Sequence, residues 1–200
     1  MKIRTAKFDQ SALSLDMCPV SALPEFAFIG RSNVGKSSLL NLLTNHGGLA
    51  RVSNTPGRTR EMNFFTINGE WTLVDLPGYG YARGPKDDKE RFNEFVSDYL
   101  VERPNLFCAF VLIDSRHEPQ RKDLDFVQWM VESSIPFALV YTKADKVKPK
   151  VVTRHIGLFK EAMAEWSEGV PEIFVTSAKT KDGRVELLKF IGVAISQGKG

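Results

Sequence analysis

From Phe26 onward, short apolar runs alternate with longer amphipathic ones, the pattern of a sheet flanked by helices. Phe26-Ala27-Phe28-Ile29 predicts a first strand, and the unbroken apolar run from Phe107 to Ile113 predicts a central parallel strand buried on both faces. Phe137 to Tyr141 and Ile173 to Val175 are the remaining short apolar runs. Between them, Lys36 to Leu43 carries Leu39, Leu40, Leu42 and Leu43 in a helical pattern. Asp88 to Leu100 brings Phe92, Phe95, Val96, Tyr99 and Leu100 to one helix face, so these aromatics are core. A further helix is predicted from Gln120 to Glu132. Val152, Ile156, Phe159, Met163 and Trp166 repeat at alternating spacings of four and three, one apolar stripe on the next. Val185, Leu188 and Ile191 carry a closing helix. Met62 to Ile67 and Trp71 to Val74 are joined by Asn68-Gly69, a turn whose two central residues need positive φ, so these strands are antiparallel. The order predicts a three-layer α/β fold with a mostly parallel six-stranded sheet and one antiparallel edge hairpin.

Outside these elements the pattern weakens. Met1 to Leu23 has no sustained period, so residues 1–23 read as an N-terminal arm in which Ile3 to Phe8 is an edge strand or an ordered extension. Residues 24–197 read as one domain and 198–200 as a frayed end. Thr44 to Glu61 is polar and contains Gly47, Gly48, Pro56 and Gly57; a loop of that length in a compact domain is functional or mobile.

Composition changes this picture little. With 42% hydrophobic and 26% charged residues in 200, the chain is an ordinary globular mixture with room for one well-buried core. Met1 to Pro19 has no apolar core of a secretory signal and no stretch is long enough to cross a bilayer, so a cytoplasmic monomer without membrane contact is expected. Cys18 and Cys108 are far apart and form no metal-ligand pattern, which predicts free thiols. A net charge of +3 does not establish a polyanionic partner. Arg51, Arg58, Arg60, Arg83, Lys86, Lys89 and Arg91 nevertheless crowd the segments expected around the site; a solvated surface and an RNA-facing patch both fit.

The chemistry lies in the loops after the strands. Gly30-Arg31-Ser32-Asn33-Val34-Gly35-Lys36-Ser37, followed by Ser38, fits G-x-x-x-x-G-K-[ST] between a strand and a helix. Such a loop turns its N–H groups on phosphate oxygens, and the helix N-terminus adds partial positive charge. Lys36 would bridge the outer phosphates and the Ser37 hydroxyl would bind Mg²⁺. Asp75-Leu76-Pro77-Gly78 follows a strand directly. It offers a carboxylate that can hold Mg²⁺ through a water, and a Gly78 N–H for the γ-phosphate. In the long loop, Pro56-Gly57-Arg58-Thr59 is counted with the nucleotide site. Thr59 can complete the Mg²⁺ shell while the γ-phosphate is present, with Thr55 the competing candidate. Lys36, Thr59 and Gly78 are thus the catalytic candidates. In Thr142-Lys143-Ala144-Asp145, Asp145 can accept from both N1–H and the exocyclic amine of guanine, which selects GTP over ATP and makes an ATP-dependent kinase the worst fit. The Lys143 stem can cover the base, and Thr176-Ser177-Ala178-Lys179 would add the Ala178 N–H to guanine O6.

Taken together, Gly-Arg-Ser-Asn-Val-Gly-Lys-Ser-Ser, Asn-Thr-Pro-Gly-Arg-Thr, Asn-Phe-Phe and Asp-Leu-Pro-Gly-Tyr-Gly-Tyr-Ala resemble the EngB family of bacterial GTPases, also called YihA or YsxC, within the Ras-like superfamily. The resemblance covers nearly the whole chain. It implies a Ras-like P-loop GTPase fold and a switch that binds GTP and GDP. It also implies a role in assembly of the large ribosomal subunit, through rRNA or ribosomal proteins, with a requirement in normal cell division. A GTPase of tRNA modification and a nucleotide-sensing scaffold are the alternatives. Two departures from the commoner GTPase pattern stand out. Thr142 replaces an Asn, which predicts micromolar rather than very tight binding. Tyr79 stands where Ras-like enzymes have the Gln that orients water, which predicts slow intrinsic hydrolysis. Asn33 resembles the Asn beside which some GTPases bind K⁺, a cation that could stabilise developing charge. His117 has no nucleophile or ligand in pattern around it and is not read as catalytic.

Overall fold

The run at residues 26–29 divides its side chains between two cores. In a computed structural model of the chain, Phe26 and Phe28 pack with Leu39, Leu40, Phe110 and Ile191 on one side, whereas Ala27 and Ile29 pack with Tyr99, Val111, Val127 and Phe159 on the other. Successive strand residues face opposite ways, so an unbroken apolar run is what a strand with helices on both faces requires. The structure describes residues 1–45, 61–79 and 86–198, and the backbone alone for 86–93.

The elements follow in the order β1 (Ala6–Ala12), β2 (Glu25–Gly30), α1 (Lys36–Thr44), β3 (Met62–Ile67), β4 (Trp71–Asp75), α2 (Lys86–Glu102), β5 (Leu106–Asp114), α3 (Arg121–Glu132), β6 (Phe137–Thr142), α4 (Pro149–Met163), β7 (Ile173–Val175) and α5 (Arg184–Gln197). The sheet order is β1-β3-β4-β2-β5-β6-β7, parallel from β4 to β7. Helices α1 and α5 cover one face; α2, α3 and α4 cover the other. Each fully buried Phe or Leu of these cores contributes about 1.5–3 kcal/mol relative to exposure. The predicted hairpin forms with Asn68 at φ 54 and Gly69 at φ 69, the positive values its turn demands.

The three-layer α/β fold is the one predicted, but among the described residues the sheet has seven strands rather than six. The arm supplies the extra one, at Ala6–Ala12 instead of Ile3 to Phe8, and it pairs antiparallel with β3, so the antiparallel part is three strands wide. The reason is legible in its burial: most of β1 is exposed or half-exposed, and an edge strand with Lys7, Asp9 and Gln10 carries no apolar period to read. Its position is set across the sheet, where Asn68 Oδ1 accepts from the backbone N–H of Arg4 and Thr5, and Asn68 Nδ2 donates to the Lys2 carbonyl. The rest of the arm is tied at the start of β2. Buried Glu25 accepts from Tyr99, Arg103 and Asn105, and the latter two also donate to the carbonyls of Pro19 and Leu23.

Candidate functional site

The parallel strands end in register. Phe28 pairs with Asp75, Gly30 with Leu112, Asp114 with Thr142, and Tyr141 with Val175, so the loops after β2, β4, β5, β6 and β7 emerge along one edge. The chain leaves β2 for α1 on one face and leaves β5 for α3 on the other, which opens a crevice between these neighbouring strands. The loop from Gly30 to Lys36 occupies that crevice.

Local conformation shapes this loop for close contact with a ligand. Asn33 (φ 61) and Gly35 (φ 106) are left-handed, and buried Val34 between them anchors the loop in the core below. The first i→i−4 bond of α1 runs from Leu39 N–H to the Gly35 carbonyl, so the N–H groups of Lys36, Ser37 and Ser38 precede the helical ladder and face the loop's concavity. The Thr142 hydroxyl donates to the Val34 carbonyl at 2.5 Å. It therefore fastens the phosphate loop to β6.

Lys36 Nζ contacts the Asp75 carboxylate and the Leu76 carbonyl, the latter at 2.6 Å, which joins the phosphate loop to the end of β4. Asp75 is buried, as are the side chains of Leu76 and Pro77, so the last two can serve a ligand only through their backbone. Gly78 lies against the loop so closely that a methyl group there would come within 2.5 Å of the Gly30 carbonyl oxygen.

On the other side of the crevice the loops after β6 and β7 are bound together. Ala144 N–H donates to the Thr176 carbonyl, and the buried Ser177 hydroxyl donates to Asp145 Oδ1 at 2.8 Å. That hydrogen bond is the main reason Asp145 is held below the usual carboxylate range. Lys143, itself left-handed at φ 57, stretches back over Gly35, and its ammonium meets the Asn33 carbonyl and Asp114 Oδ2. A cleft of about 1030 Å³ runs past Gly35, Lys143, Asp145, Ala178 and Lys179. Of the sequence candidates, the structure thus brings together residues 30–38, 75–78, 142–145 and 176–179. Thr55, Pro56, Gly57, Arg58 and Thr59 lie outside the described residues, as do Arg51, Arg60 and Arg83; Lys86, Lys89 and Arg91 fall where the backbone alone is described.

His117 is exposed after β5. Both cysteines are free and buried, and burial pushes the Cys18 thiol up to about 11 and Cys108 to about 12.

Two aspartates were missed. Asp114 ends β5 and joins Lys143 to Arg116, whose guanidinium meets both of its oxygens. Burial works against the Asp114 charge, but the hydrogen bonds from Arg116 and Lys143 outweigh it and hold the carboxyl well below its usual range. Such a group stabilises the fold above the unfolded aspartate pKa of about 4, and the contribution is lost as pH falls below it. Thermal unfolding midpoints from pH 6 to pH 2.5 should therefore drop on acidification, and more shallowly in Asp114→Asn; parallel curves would refute this. Asp123, on α3, reads in sequence as an ordinary acid in the first helical turn, yet it is fully buried beside the phosphate loop.

A Gly-rich loop between strand and helix, a strand-end carboxylate and the Thr-Lys-Ala-Asp loop after β6 at one sheet edge define a P-loop nucleotide-binding protein of the GTPase class. Comparisons with known proteins agree. A family model described as 50S ribosome-binding GTPase matches residues 25–143. A probable GTP-binding protein EngB of Christiangramia forsetii is 53% identical over 192 residues, 96% of each chain. One from Bacteroides fragilis strain YCH46 is 48% identical over 96% of this chain and 95% of the relative. The crystal structure of a probable GTP-binding protein EngB, 28% identical, superposes with a TM-score of 0.68 over 86% of this chain and 99% of that one. Translation elongation factor SelB from Methanococcus maripaludis, 17% identical, shares the fold over 86% of this chain and 33% of its own, with a TM-score of 0.61. The chain belongs to the EngB family of GTP-binding proteins, and its activity is GTP hydrolysis. No helix among the described residues is long and apolar enough to cross a membrane.

Proposed function

We propose that this chain is a Mg²⁺-dependent GTP switch that hydrolyses GTP slowly in the cytoplasm and gates a step in assembly of the large ribosomal subunit, as normal cell division requires. The observation that supports the reading most is the convergence at one sheet edge of the phosphate loop, the β4 end and the two base loops. The ribosomal partner follows the family description, 50S ribosome-binding GTPase.

In this reading the N–H groups from Asn33 to Ser38 and the Lys36 ammonium hold the β- and γ-phosphates. The Lys36 ammonium meets the Asp75 carboxylate directly, which gathers a cation and a carboxylate beside the phosphate loop. A hydroxyl from Ser37 and a carboxylate from Asp75, with Thr59 from the long loop, are hard oxygen donors. Mg²⁺ is held in just this way, by few protein groups with phosphates and water completing its shell, so the residues fit the ion. When bound, Mg²⁺ would neutralise charge on the phosphates. Gly78 N–H would donate to the γ-phosphate, Asp145 would read guanine N1–H and amine, and Ala178 N–H would meet O6. Asn33, exposed on its left-handed turn, is the place for an activating K⁺.

The test is GTP turnover by the purified chain in KCl and in NaCl, with and without large ribosomal subunits or their precursors. Stimulation by the particle supports the assembly role. Absence of both binding and stimulation would remove it and favour a scaffold or another RNA process. Equal rates in the two salts would remove K⁺.

A further inference from the structure

Asp123 lies outside every motif discussed above, yet it touches two of them. Its Oδ1 accepts a hydrogen bond from Arg31 Nε at 2.8 Å and another from the Tyr79 hydroxyl at 2.8 Å. Arg31 is the second residue of the phosphate loop, and Tyr79 directly follows Gly78. The Tyr79 ring also lies flat on Phe126, one helical turn beyond Asp123, with centroids 4.2 Å apart and planes inclined by 15°. One stretch of α3 therefore grips Tyr79 by both ring and hydroxyl, and holds Arg31 with the same carboxylate oxygen.

Stability alone would not select this arrangement. Asp123 is fully buried, and its Oδ2 has no donor among the described residues. Desolvation raises its pKa in spite of the Arg31 and Tyr79 hydrogen bonds. An apolar side chain of similar volume commonly does as well or better at such a place, so a buried carboxylate kept there calls for a reason other than packing.

We propose that Asp123 is a positioning residue for GTP hydrolysis. Through Tyr79 it holds Gly78 against the Gly30 carbonyl, and through Arg31 it holds the start of the phosphate loop, so the Gly78 N–H and the phosphate loop keep a fixed separation. The proposal rests on the reading of Gly78 N–H as a γ-phosphate donor. It also assigns Tyr79 a role other than orienting water: its hydroxyl proton is committed to a carboxylate and its ring is stacked on Phe126. Because GDP has no γ-phosphate for Gly78 to meet, the effect belongs on the rate at saturating GTP and not on GDP affinity.

The experiment compares Tyr79→Phe, Asp123→Asn and the double variant in the full chain. Single-turnover hydrolysis at saturating GTP is measured beside GDP affinity, with circular-dichroism melts to establish folding. Tyr79→Phe removes one oxygen atom and keeps the stacked ring, so it carries the test if Asp123→Asn does not fold. Each single variant should be roughly tenfold slower, the rate equivalent of one charge-assisted hydrogen bond, with GDP affinity within about twofold of the parent. The double variant should be no slower than the slower single, because both changes break one link. Multiplying losses, unchanged rates, or a fall in GDP affinity that matches the fall in rate would each overturn the proposal. Lys36→Ala is run in parallel. If it hydrolyses GTP at the parental rate, the phosphate-site reading has failed and the proposal with it; if it is inactive while Tyr79→Phe is normal, the fault lies with the role of Asp123 alone.

Discussion

The chain carrying Asp145→Asn should lose GTP and gain xanthosine triphosphate. A carboxylate accepts two hydrogen bonds from guanine, at N1–H and at the exocyclic amine, and an asparagine presents one acceptor and one amide donor instead. The amide then faces the guanine amine donor to donor, and the mismatch should weaken GTP binding about a hundredfold or more. Xanthine carries a carbonyl in place of that amine, which the asparagine amide can satisfy, so its triphosphate should bind better to the variant than GTP does. The Ser177 hydroxyl can still donate to Oδ1 of an asparagine, so the loop that holds position 145 keeps its tether. Competition of both triphosphates against a fluorescent GDP analogue measures the exchange. Equal weakening of both would mean that Asp145 organises the loop and does not read the base.

Lys36→Ala should abolish hydrolysis for a different reason. An ammonium placed among phosphate oxygens stabilises charge that grows as the terminal phosphoryl group departs, and removing one such preorganised donor costs about 10²–10³ in rate. The same side chain neutralises Asp75, which is 3% exposed. The variant therefore leaves a buried carboxylate without its cation, and its melting temperature should fall as well. The two effects separate by measuring single-turnover rates on folded, nucleotide-loaded protein and melts on the free chain. A lower melting temperature with an unchanged rate would reduce Lys36 to a structural ion pair.

The phosphate loop, the β4-end motif and both base motifs were legible because each is a local object: a few consecutive residues whose turn and chemistry are set by near neighbours in sequence. The sheet and its helices were legible for the same reason, since an amphipathic stripe or an unbroken apolar run states which faces must be buried. The edge strand β1 was not, because an exposed strand has no apolar period and its place is fixed by a ladder to β3 and by Asn68, more than sixty residues away. Thr142 shows the limit within a motif. Its position at the end of β6 could be read, but that its hydroxyl turns toward the Val34 carbonyl, 108 residues back, could not.

By itself, then, the sequence determined the layered α/β fold, the phosphate loop and the preference for guanine, all of which follow from local backbone chemistry and from the burial of apolar faces. The tertiary structure alone decided which polar groups meet beneath those loops. It placed Lys143 on Asp114, and Arg31 and Tyr79 together on Asp123, across separations of 29, 92 and 44 residues. Such meetings depend on strand order and on which face of the sheet each helix covers, and a hydrogen bond between distant residues leaves no periodicity in the chain to announce it.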